Sequence, residues 1–247
     1  METIQTFLIT AIERTGSNLL AGMLDSHPEI TCHHELFHSK EIYYSLSHRS
    51  EMSGLFPIGR RNENPGKFLD FIWNYDYKKN NRAIGFKMFP GHNDSLLDQL
   101  LQDPAVKKII LERTNALHLY TSLLISRNTG VYSFLIKDDK KPPGPMKVEF
   151  DVKAFFEYDK RNRAFYNHVE NTLKQTRQDF KRLQYETMLK ESEKIALLEF
   201  LGVNAQPELL EVRHKKQNPP RLKDRISNYQ QVTSELKGTP YEIFLDP

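Results

Sequence analysis

A short polar turn after the first apolar run of the chain carries groups that suit an anion. The turn includes Arg14, Thr15, Gly16 and Ser17, and a second apolar pattern begins directly after it. Backbone N–H groups at a helix N-terminus, two hydroxyls and a permanent guanidinium charge are all groups that bind phosphate or sulfate. Gly16 has no side chain, so the backbone can approach such an anion closely. The turn therefore predicts an oxyanion site.

The segments on either side of the turn predict a buried strand followed by a helix. Residues 4–12 are almost continuously apolar, which is typical of a strand covered on both faces in a parallel sheet. After the turn, a pair of leucines is followed four residues later by Met23 and Leu24, so one helical face is apolar. We expect a helix over about residues 17–26.

Strands and helices alternate along the rest of the chain. Further strands are expected at 84–89, 106–112 and 180–185, with a short extended piece at 29–34. Helices are expected at 66–76, 95–102, 115–127, 152–178, 189–201 and 223–237. Residues 39–64 and 129–150 are expected to be mostly loop, with a short helix near 40–46. The alternation predicts an α/β fold of one domain over residues 1–247, with a mostly parallel β-sheet flanked by helices.

The composition is ordinary for a globular domain. Of 247 residues, 38% are hydrophobic and 27% charged, and the net charge is only +3, which does not demand a nucleic-acid partner. The basic clusters at 160–182 and 213–225 are expected to be solvated surface. No stretch approaches the roughly 18 apolar residues of a membrane span. We see no signal-peptide pattern, and the single Cys32 suits a reducing compartment, so we expect a cytoplasmic protein.

Four features occur in an order that resembles sulfotransferases. They are the segment 14–20 with Leu24, 26–30 and Glu35; the segment 109–115 with Ser122; the pair Tyr185 and Glu186; and the segment 216–219 followed by 226–229. The ordered set resembles the bacterial carbohydrate and nodulation-factor branch of that family, with tyrosylprotein sulfotransferases further away. The resemblance covers essentially the whole chain and implies a P-loop-like sulfotransferase fold.

The resemblance implies a sulfate donor, 3′-phosphoadenosine 5′-phosphosulfate, whose 5′-phosphosulfate lies in the first loop. The loop residues implied are Arg14, Thr15, Gly16, Ser17, Asn18 and Leu19. Arg14 would neutralise the sulfuryl group and the leaving phosphate, because its planar fork stays charged at any working pH. Its alternative is a surface ion pair with Glu13. Asn18 replaces a threonine often found in this loop, which leaves an amide instead of a hydroxyl.

The resemblance places the donor's 3′-phosphate on Arg113, at the end of a strand, with a hydroxyl from the next helix. The usual interval from that arginine to its serine is eight residues. Here Ser122 stands at nine and Thr121 at eight, so either hydroxyl can serve. Arg113 can alternatively pair with Asp138 or Asp139. The other implied nucleotide contacts are Tyr185, near the adenosine, and Lys215 or Lys216, which would close over the nucleotide.

Glu35 is the first candidate for a general base. It stands 21 residues after Arg14 (35 minus 14), the interval at which the resembling branches place a catalytic glutamate. Since transfer to a hydroxyl requires removal of its proton, we expect burial to raise the pKa of Glu35 above the usual value of about 4.3. His92 is the second candidate, because cytosolic sulfotransferases use a histidine after a comparable strand. Lys87 can face the sulfonate or be a solvated lysine at a sheet edge.

A group of histidines next to Glu35 raises the question of a metal. His34 and His38 are four residues apart and His33 adjoins them. No carboxylate or cysteine set completes a four-ligand site at zinc spacings unless Cys32 joins. We expect no metal, because positioning and electrostatics suffice for the transfer.

The leading hypothesis is a sulfotransferase that acts on an acceptor hydroxyl, by resemblance one on a carbohydrate or glycolipid. A P-loop nucleotide phosphotransferase is the alternative enzyme, but the chain lacks a Gly-x-x-x-x-Gly-Lys-Ser/Thr motif. The third hypothesis is a non-catalytic module that binds anions or nucleic acid. We expect no nucleic-acid partner and no membrane span, and the sequence leaves the oligomeric state open. The loops at 39–64 and 129–150 are expected to shape the acceptor pocket.

Overall fold

A parallel β-sheet forms the centre of the protein. The computed structural model describes residues 4–77, 79–133, 135–136, 146–215 and 218–246. Within these residues the sheet has five strands: β1 (Gln5–Thr10), β2 (Ile30–His33), β3 (Ala83–Met88), β4 (Val106–Glu112) and β5 (Phe180–Gln184). Their order is β2-β3-β1-β4-β5, and every neighbouring pair is parallel. The strands lie within a few residues of their predicted bounds.

Helices cover both faces of the sheet. They are α1 (Ser17–Ser26), α2 (Arg49–Met52), α3 (Ile58–Glu63), α4 (Pro65–Asn74), α5 (Asp94–Gln102), α6 (Ala116–Thr129), α7 (Val152–Gln175), α8 (Glu191–Leu201) and α9 (Tyr229–Leu236). Short 3₁₀ turns lie at Pro207–Leu209, Leu222–Asp224 and Glu242–Phe244. The predicted α/β class, with a parallel sheet flanked by helices, is confirmed. Within the described residues, no helix is both long and apolar enough to cross a membrane.

Successive side chains of β1 face opposite sides of the sheet. Phe7 and Ile9 pack with residues of α1 and α8, whereas Leu8 packs with Phe86 and with residues of α4, α5 and α7. All four side chains are fully buried, and each such burial contributes about 1.5–3 kcal/mol. Because β1 lies between β3 and β4, this packing fixes the loop after β1 at the middle of the sheet's carboxyl edge.

The segment after β2 contains helices where the sequence predicted mostly loop. The expected helix near 40–46 is absent, and α2 and α3 form later in this segment. Arg61 of α3 is almost fully buried and donates to the carbonyls of Leu36 (2.8 Å), His38 (2.8 Å) and Glu41 (3.2 Å). Tyr43 N donates to the carbonyl of Glu35 (3.2 Å), eight residues back, where a helix at 40–46 would need a bond four residues back.

The last helix begins later than predicted. Instead of running from residue 223, α9 starts at Tyr229. Ser227 N donates to Val148 O (2.9 Å) and Val148 N donates to Arg225 O (2.8 Å), so the backbone at 225–227 pairs with a distant segment, and the local bonds before it form only the 3₁₀ turn at Leu222–Asp224. The predicted loop at 129–150 starts where α6 ends at Thr129, and its centre lies outside the described residues.

The buried His33 links β2 to the segment 45–77 through hydrogen bonds. Ser45 N donates to His33 Nδ1 (3.0 Å), so His33 Nε2 carries the proton and donates to Tyr77 Oη (2.8 Å). Tyr77 Oη in turn donates to the carbonyl of Ile72 (2.7 Å). Burial, together with the nearby His48, lowers the pKa of His33 to about 3. His33 is therefore neutral in the folded protein and ties β2 to residues 45–77.

Acid should weaken the fold through His33. In the unfolded chain its pKa is about 6.5, so between pH 6.5 and about 3 the unfolded state binds a proton that the folded state does not, and stability falls as the pH falls. Between pH 6.5 and 5 this group alone contributes about 2 kcal/mol of loss. Urea unfolding at several pH values should show a shallower pH dependence for His33→Gln than for the unmodified protein, although the variant is less stable at pH 7. Parallel curves would contradict the assignment.

Candidate functional site

The loop between β1 and α1 is held in an unusual backbone conformation. Gly16, at the N-cap of α1, has φ 87°, and Arg14 has φ 68°, both in the left-handed region. A Cβ at Gly16 would lie 2.4 Å from Cδ2 of Tyr185, so a larger residue would also clash with that ring. The loop therefore needs glycine for its backbone angle and for its close contact with Tyr185.

Some side chains of the loop between β1 and α1 stabilise the loop and the core, and others contact Lys87 of β3. Thr15 is buried and its hydroxyl donates to Ile12 O (2.8 Å), and Leu19 packs against the core. Ser17 does not cap the helix, and its Oγ accepts from Lys87 Nζ (3.3 Å). Asn18 Oδ1 accepts from the same ammonium. Of the predicted anion ligands, Ser17 and Asn18 thus have side chains in polar contact across the cleft, whereas the Thr15 hydroxyl serves the loop itself.

Arg14 and Arg113 lie together at the carboxyl ends of β1 and β4. Arg14 Nε donates to Ser122 Oγ (3.1 Å) and its Nη1 donates to the carbonyl of Tyr132. Arg113 Nη1 donates to Arg14 O (3.4 Å). Burial and the charge of Arg113 both lower the pKa of Arg14. Two guanidinium groups held this close favour the binding of an anion, because an anion would relieve their repulsion.

The alternative partners of these arginines are placed elsewhere or are not described. Glu13 is 3.8 Å from the exposed Arg127 and forms no hydrogen bond with Arg14 among the described contacts. Asp138 and Asp139, the acidic partners considered for Arg113, lie outside the described residues. Within the described residues, Glu13 thus pairs with Arg127, and the Arg14 side chain contacts Ser122 and Tyr132.

Arg113 stacks on Tyr185, and its Nε donates to none of the described residues. Its guanidinium carbon lies 4.5 Å from the centre of the Tyr185 ring, and burial lowers its pKa. Its Nε is buried and has no hydrogen-bond partner within the described residues. The neighbouring Glu186 accepts from the backbone N–H groups of Thr114 (3.1 Å) and Asn115 (3.4 Å), so it fixes the start of α6.

Arg225 is a third arginine in this cluster and is more deeply buried than Arg14 and Arg113, and the sequence analysis missed it. It is only 4% exposed, and its Nε donates to the carbonyl of Pro219. Its Nη1 is buried without a partner in the described part of the chain. Burial and Arg113 lower the pKa of Arg225 to about 10, and burial with Arg225 and Arg113 lowers that of His118 to about 4. The only signal was its membership of the basic cluster at 213–225, which we assigned to solvated surface.

Of the two candidate hydroxyls on α6, Ser122 faces the arginines. Ser122 Oγ accepts from Arg14 Nε and also from Asn218 Nδ2 (3.0 Å). Thr121 is fully buried, and its hydroxyl donates to the carbonyl of Leu117 (2.7 Å) within its own helix. The Asn218 contact brings the predicted C-terminal segment to the site. Lys215 is exposed, and Lys216 lies outside the described residues.

This division gives a matched pair of variants. Ser122→Ala should weaken binding of 3′,5′-adenosine bisphosphate by about tenfold, the usual effect of one hydrogen bond to a charged group. Thr121→Val keeps the shape of the side chain and should change nucleotide affinity by less than about twofold, because that hydroxyl already serves α6. Calorimetric titration measures both affinities. A larger loss in Thr121→Val than in Ser122→Ala would reverse the assignment.

A second polar centre lies beside the loop, around Glu35. Lys87 Nζ is 2.8 Å from Glu35 Oε1, and His92 Nε2 is 3.7 Å from Glu35 Oε2. Lys87 is 1% exposed and projects from β3, between β2 and β1, so it is not a solvated lysine at a sheet edge. Its contacts to Ser17 and Glu35 place this ammonium between the loop and the carboxylate. The cation beside Glu35 is therefore Lys87, whereas the Arg14 side chain lies with Ser122.

The pKa of Glu35 is lowered, and our expectation of a raised pKa was wrong. Burial alone raises it, but the charge and the hydrogen bond of Lys87, with smaller contributions from His92 and His38, outweigh burial. Burial lowers the pKa of His92 to about 4 despite the neighbouring carboxylate. At neutral pH the centre therefore holds an ionised glutamate and a neutral imidazole, and burial lowers the pKa of Lys87 while its contact with Glu35 opposes that shift.

The rings of His38, Tyr43 and His92 lie near Glu35. His38 lies 5.9 Å from His92 and 5.1 Å from Tyr43, measured between ring centroids. Tyr43 N donates to the Glu35 carbonyl (3.2 Å), which holds this wall against the carboxylate. Among the described residues no cluster of three potential metal ligands occurs. The histidines considered for a metal point to different partners: His33 to Tyr77, His34 to Asn18 and His38 to Tyr43.

The fold and the site define an α/β protein in which a glycine-containing loop suited to an anion lies at the carboxyl edge of a parallel sheet, beside a cluster of arginines. No family model matches this sequence. The chain is similar over nearly its full length to nodulation protein H of Rhizobium meliloti, with 22% identity over 248 residues, 97% of this chain and 94% of the relative. It is 24% identical to nodulation protein H of Rhizobium tropici over 247 residues, covering 98% of this chain and 93% of the relative.

The chain also has structural similarity to solved sulfotransferases. Sulfotransferase STF9 from Mycobacterium avium has a TM-score of 0.45 at 13% identity, covering 94% of this chain and 75% of its own. A sulfotransferase from Alicyclobacillus acidocaldarius has a TM-score of 0.44 at 15% identity, covering 95% and 92%. Together with the ordered motifs, the similarity to the nodulation proteins supports the sulfotransferase family, in its carbohydrate and nodulation-factor branch.

Proposed function

We propose that residues 1–247 form one sulfotransferase domain that uses 3′-phosphoadenosine 5′-phosphosulfate to sulfate a hydroxyl of a carbohydrate. The observation that carries this proposal is the contact between the β1–α1 loop and the buried arginine cluster. Arg113 Nη1 lies 3.4 Å from the carbonyl of Arg14, while Arg113 Nε and Arg225 Nη1 remain without partners within the described residues. Buried N–H groups of this kind are costly unless a ligand accepts from them.

The residues present fit a donor with phosphates at two positions. The arginine cluster with Ser122 suits the 3′-phosphate, since guanidinium groups bind phosphate in bidentate fashion. The loop N–H groups around Gly16, with Ser17 and Asn18, suit the 5′-phosphosulfate at the N-terminus of α1. Tyr185, which contacts both Gly16 and Arg113, is assigned to the adenosine. Lys215 and Lys216 keep their proposed role of closing over the nucleotide.

The residues around Glu35 supply the remaining parts of the transfer. The donor, when bound, provides an activated sulfuryl group. Glu35, ionised at neutral pH, accepts the proton of the acceptor hydroxyl as that oxygen bonds to sulfur and the bond from sulfur to the phosphate oxygen breaks. Lys87 stabilises negative charge on the sulfuryl oxygens and on the departing phosphate. His92, neutral and 3.7 Å from Glu35, is assigned to orient the acceptor.

A carbohydrate acceptor suits the wall beside Glu35. His38, Tyr43 and His92 present ring faces and edges next to the base, and a flat, weakly polar sugar face packs against such rings. The branch that the motifs and the nodulation proteins support points the same way. His38 and Tyr43 of this wall belong to the segment 36–48, in which Arg61 binds three backbone carbonyls.

The lowered pKa of Glu35 predicts the acid side of the pH profile. Glu35 must be ionised to act, and that form is present above its pKa, which lies below 4.5. His92 is neutral above about pH 4. We expect kcat/KM to change little between about pH 5 and 8 and to fall only below about pH 5. An acid limb near pH 6.5, measured with a saturating donor, would show that the carboxyl pKa is raised after all.

The proposal is tested by the choice of nucleotide and by transfer of label. In a thermal-shift assay the bisphosphate should stabilise the protein, by about 2.7 kcal/mol at 100 times its dissociation constant, and MgATP should not. Incubation with ³⁵S-labelled donor and a panel of oligosaccharides, phenols and aliphatic alcohols should label the oligosaccharides. Stabilisation by MgATP alone would favour a phosphotransferase, and nucleotide binding without any labelled product would favour a binding module.

A further inference from the structure

The side-chain amide of Asn18 lies where the loop, β3 and the segment after β2 meet. We propose that His34 and Lys87 lock this amide so that its Nδ2 donates to the sulfuryl oxygens of the donor, which makes His34 a positioning residue for the transfer. The inference rests on the proposed function and assigns within it a role to a loop amide and to a buried histidine.

The orientation of the amide follows from its neighbours. Lys87 Nζ donates to Asn18 Oδ1, and His34 Nδ1 lies 3.1 Å from the same oxygen. An ammonium group has only donors, so the oxygen of the amide must face it, and a flipped amide would set its NH₂ group against the ammonium. The proton of His34 is therefore on Nδ1, and Asn18 Oδ1 accepts from both neighbours.

The two donors are themselves fixed. His34 is 6% exposed, and its Nε2 has no hydrogen-bond partner in the described part of the chain, so no competing contact turns the ring. Burial first, and then the charge of Lys87, lower the pKa of His34 well below its usual range, so the ring stays neutral. Lys87 is held by Glu35 and Ser17 as well. The amide consequently cannot rotate without breaking contacts between buried groups.

Locking the oxygen leaves the nitrogen of the amide for a ligand. Asn18 is the second residue of α1 and is half-buried, and none of the described residues accepts from its Nδ2. Nδ2 belongs to the same amide whose oxygen accepts from Lys87, and Asn18 follows directly after the first residue of α1. It is therefore assigned to the sulfuryl end of the donor, which the product 3′,5′-adenosine bisphosphate lacks.

The difference between donor and product makes the inference testable without an acceptor. Calorimetric titration of the full chain with the phosphosulfate and with the bisphosphate gives the ratio of the two affinities. His34→Leu leaves Lys87 as the one described donor to the amide oxygen, so the amide is held less tightly, and phosphosulfate binding should weaken about threefold, with little change for the bisphosphate. His34→Asn, which keeps a donor near the position of Nδ1, should restore the ratio. Asn18→Ala removes the amide and should weaken phosphosulfate binding about tenfold, and adding His34→Leu to it should cost nothing more, because His34 acts through Asn18.

The possible outcomes separate a failure of the positioning role of His34 from a failure of the proposed sulfotransferase function. An unchanged ratio in His34→Leu, equal losses for both nucleotides, or additive losses in the double variant would overturn the positioning role. Should His34→Leu fail to fold, His34→Gln, whose donor is displaced from the Nδ1 position, takes its place in the same cycle with the same expected loss. If the unmodified protein bound neither nucleotide, the proposed function itself would fail.

Discussion

Replacing Glu35 by glutamine should lower kcat for sulfate transfer by about 10²- to 10⁴-fold, the usual contribution of a general base. Glutamine keeps an oxygen that accepts from Lys87, so the cleft should retain its shape while the proton acceptor is lost. Affinity for the bisphosphate should change by less than about twofold, because Glu35 contacts Lys87 and His92 and not the arginine cluster. Single-turnover kinetics and calorimetric titration measure the two effects separately.

Glu63→Gln is the matched control for this variant. Glu63 is the last residue of α3, is exposed, and makes no side-chain hydrogen bond or ion pair within the described part of the chain. The control should retain kcat within about twofold, as expected for a surface substitution. If Glu35→Gln turned over as fast as the control, with its melting temperature unchanged, Glu35 would not be the base and His92 would become the candidate.

Replacing Arg113 by alanine should weaken bisphosphate binding by about 100-fold or more, because two charge-assisted hydrogen bonds to a phosphate are lost. The variant should not unfold, since Arg113 makes one backbone contact, to Arg14 O, and otherwise stacks on Tyr185. Removing it also relieves the repulsion with Arg14 and Arg225. The affinity loss is measured by titration and the stability by urea unfolding.

Two further arginine variants serve as controls for Arg113→Ala. Arg127→Ala removes an exposed arginine of α6, which pairs with Glu13 at 3.8 Å, and should leave nucleotide affinity within about twofold. Arg113→Lys keeps the charge and loses the planar fork, so its affinity should lie between those of the alanine variant and the unmodified protein. Equal affinities for Arg113→Ala and Arg127→Ala would remove Arg113 from the site.

The central sheet was predictable because its signals are local. The apolar run of β1, the glycine at the turn and the spacing of Met23 and Leu24 in α1 each depend on neighbouring residues. The errors arose where distant residues determine the backbone. Arg61 draws carbonyls of the segment 36–41 toward itself, and Val148 pairs with the backbone at 225–227, and neither contact has a signature in the local sequence.

The residue types of the candidate site were predictable from the sequence, but the contacts between those residues were not. The resemblance pointed to Glu35 and Arg113, and the sequence left Thr121 and Ser122 equal because their order on a helix does not show which one faces the arginines. The direction of the Glu35 pKa could not be read either, since it depends on Lys87, 52 residues later (87 minus 35), reaching across from β3. Arg225 was missed because a buried arginine and a solvated one look the same in a basic cluster.

The account depends on a nucleotide that carries a 3′-phosphate and is held by the arginine cluster beside the β1–α1 loop. The most direct test is titration of the protein with 3′,5′-adenosine bisphosphate and with adenosine 5′-phosphate, which differ only in that phosphate. We expect the bisphosphate to bind about 100-fold more tightly, and the advantage to shrink to less than about tenfold in Arg113→Ala. Equal affinities for the two nucleotides, or an advantage that survives the loss of Arg113, would contradict the account.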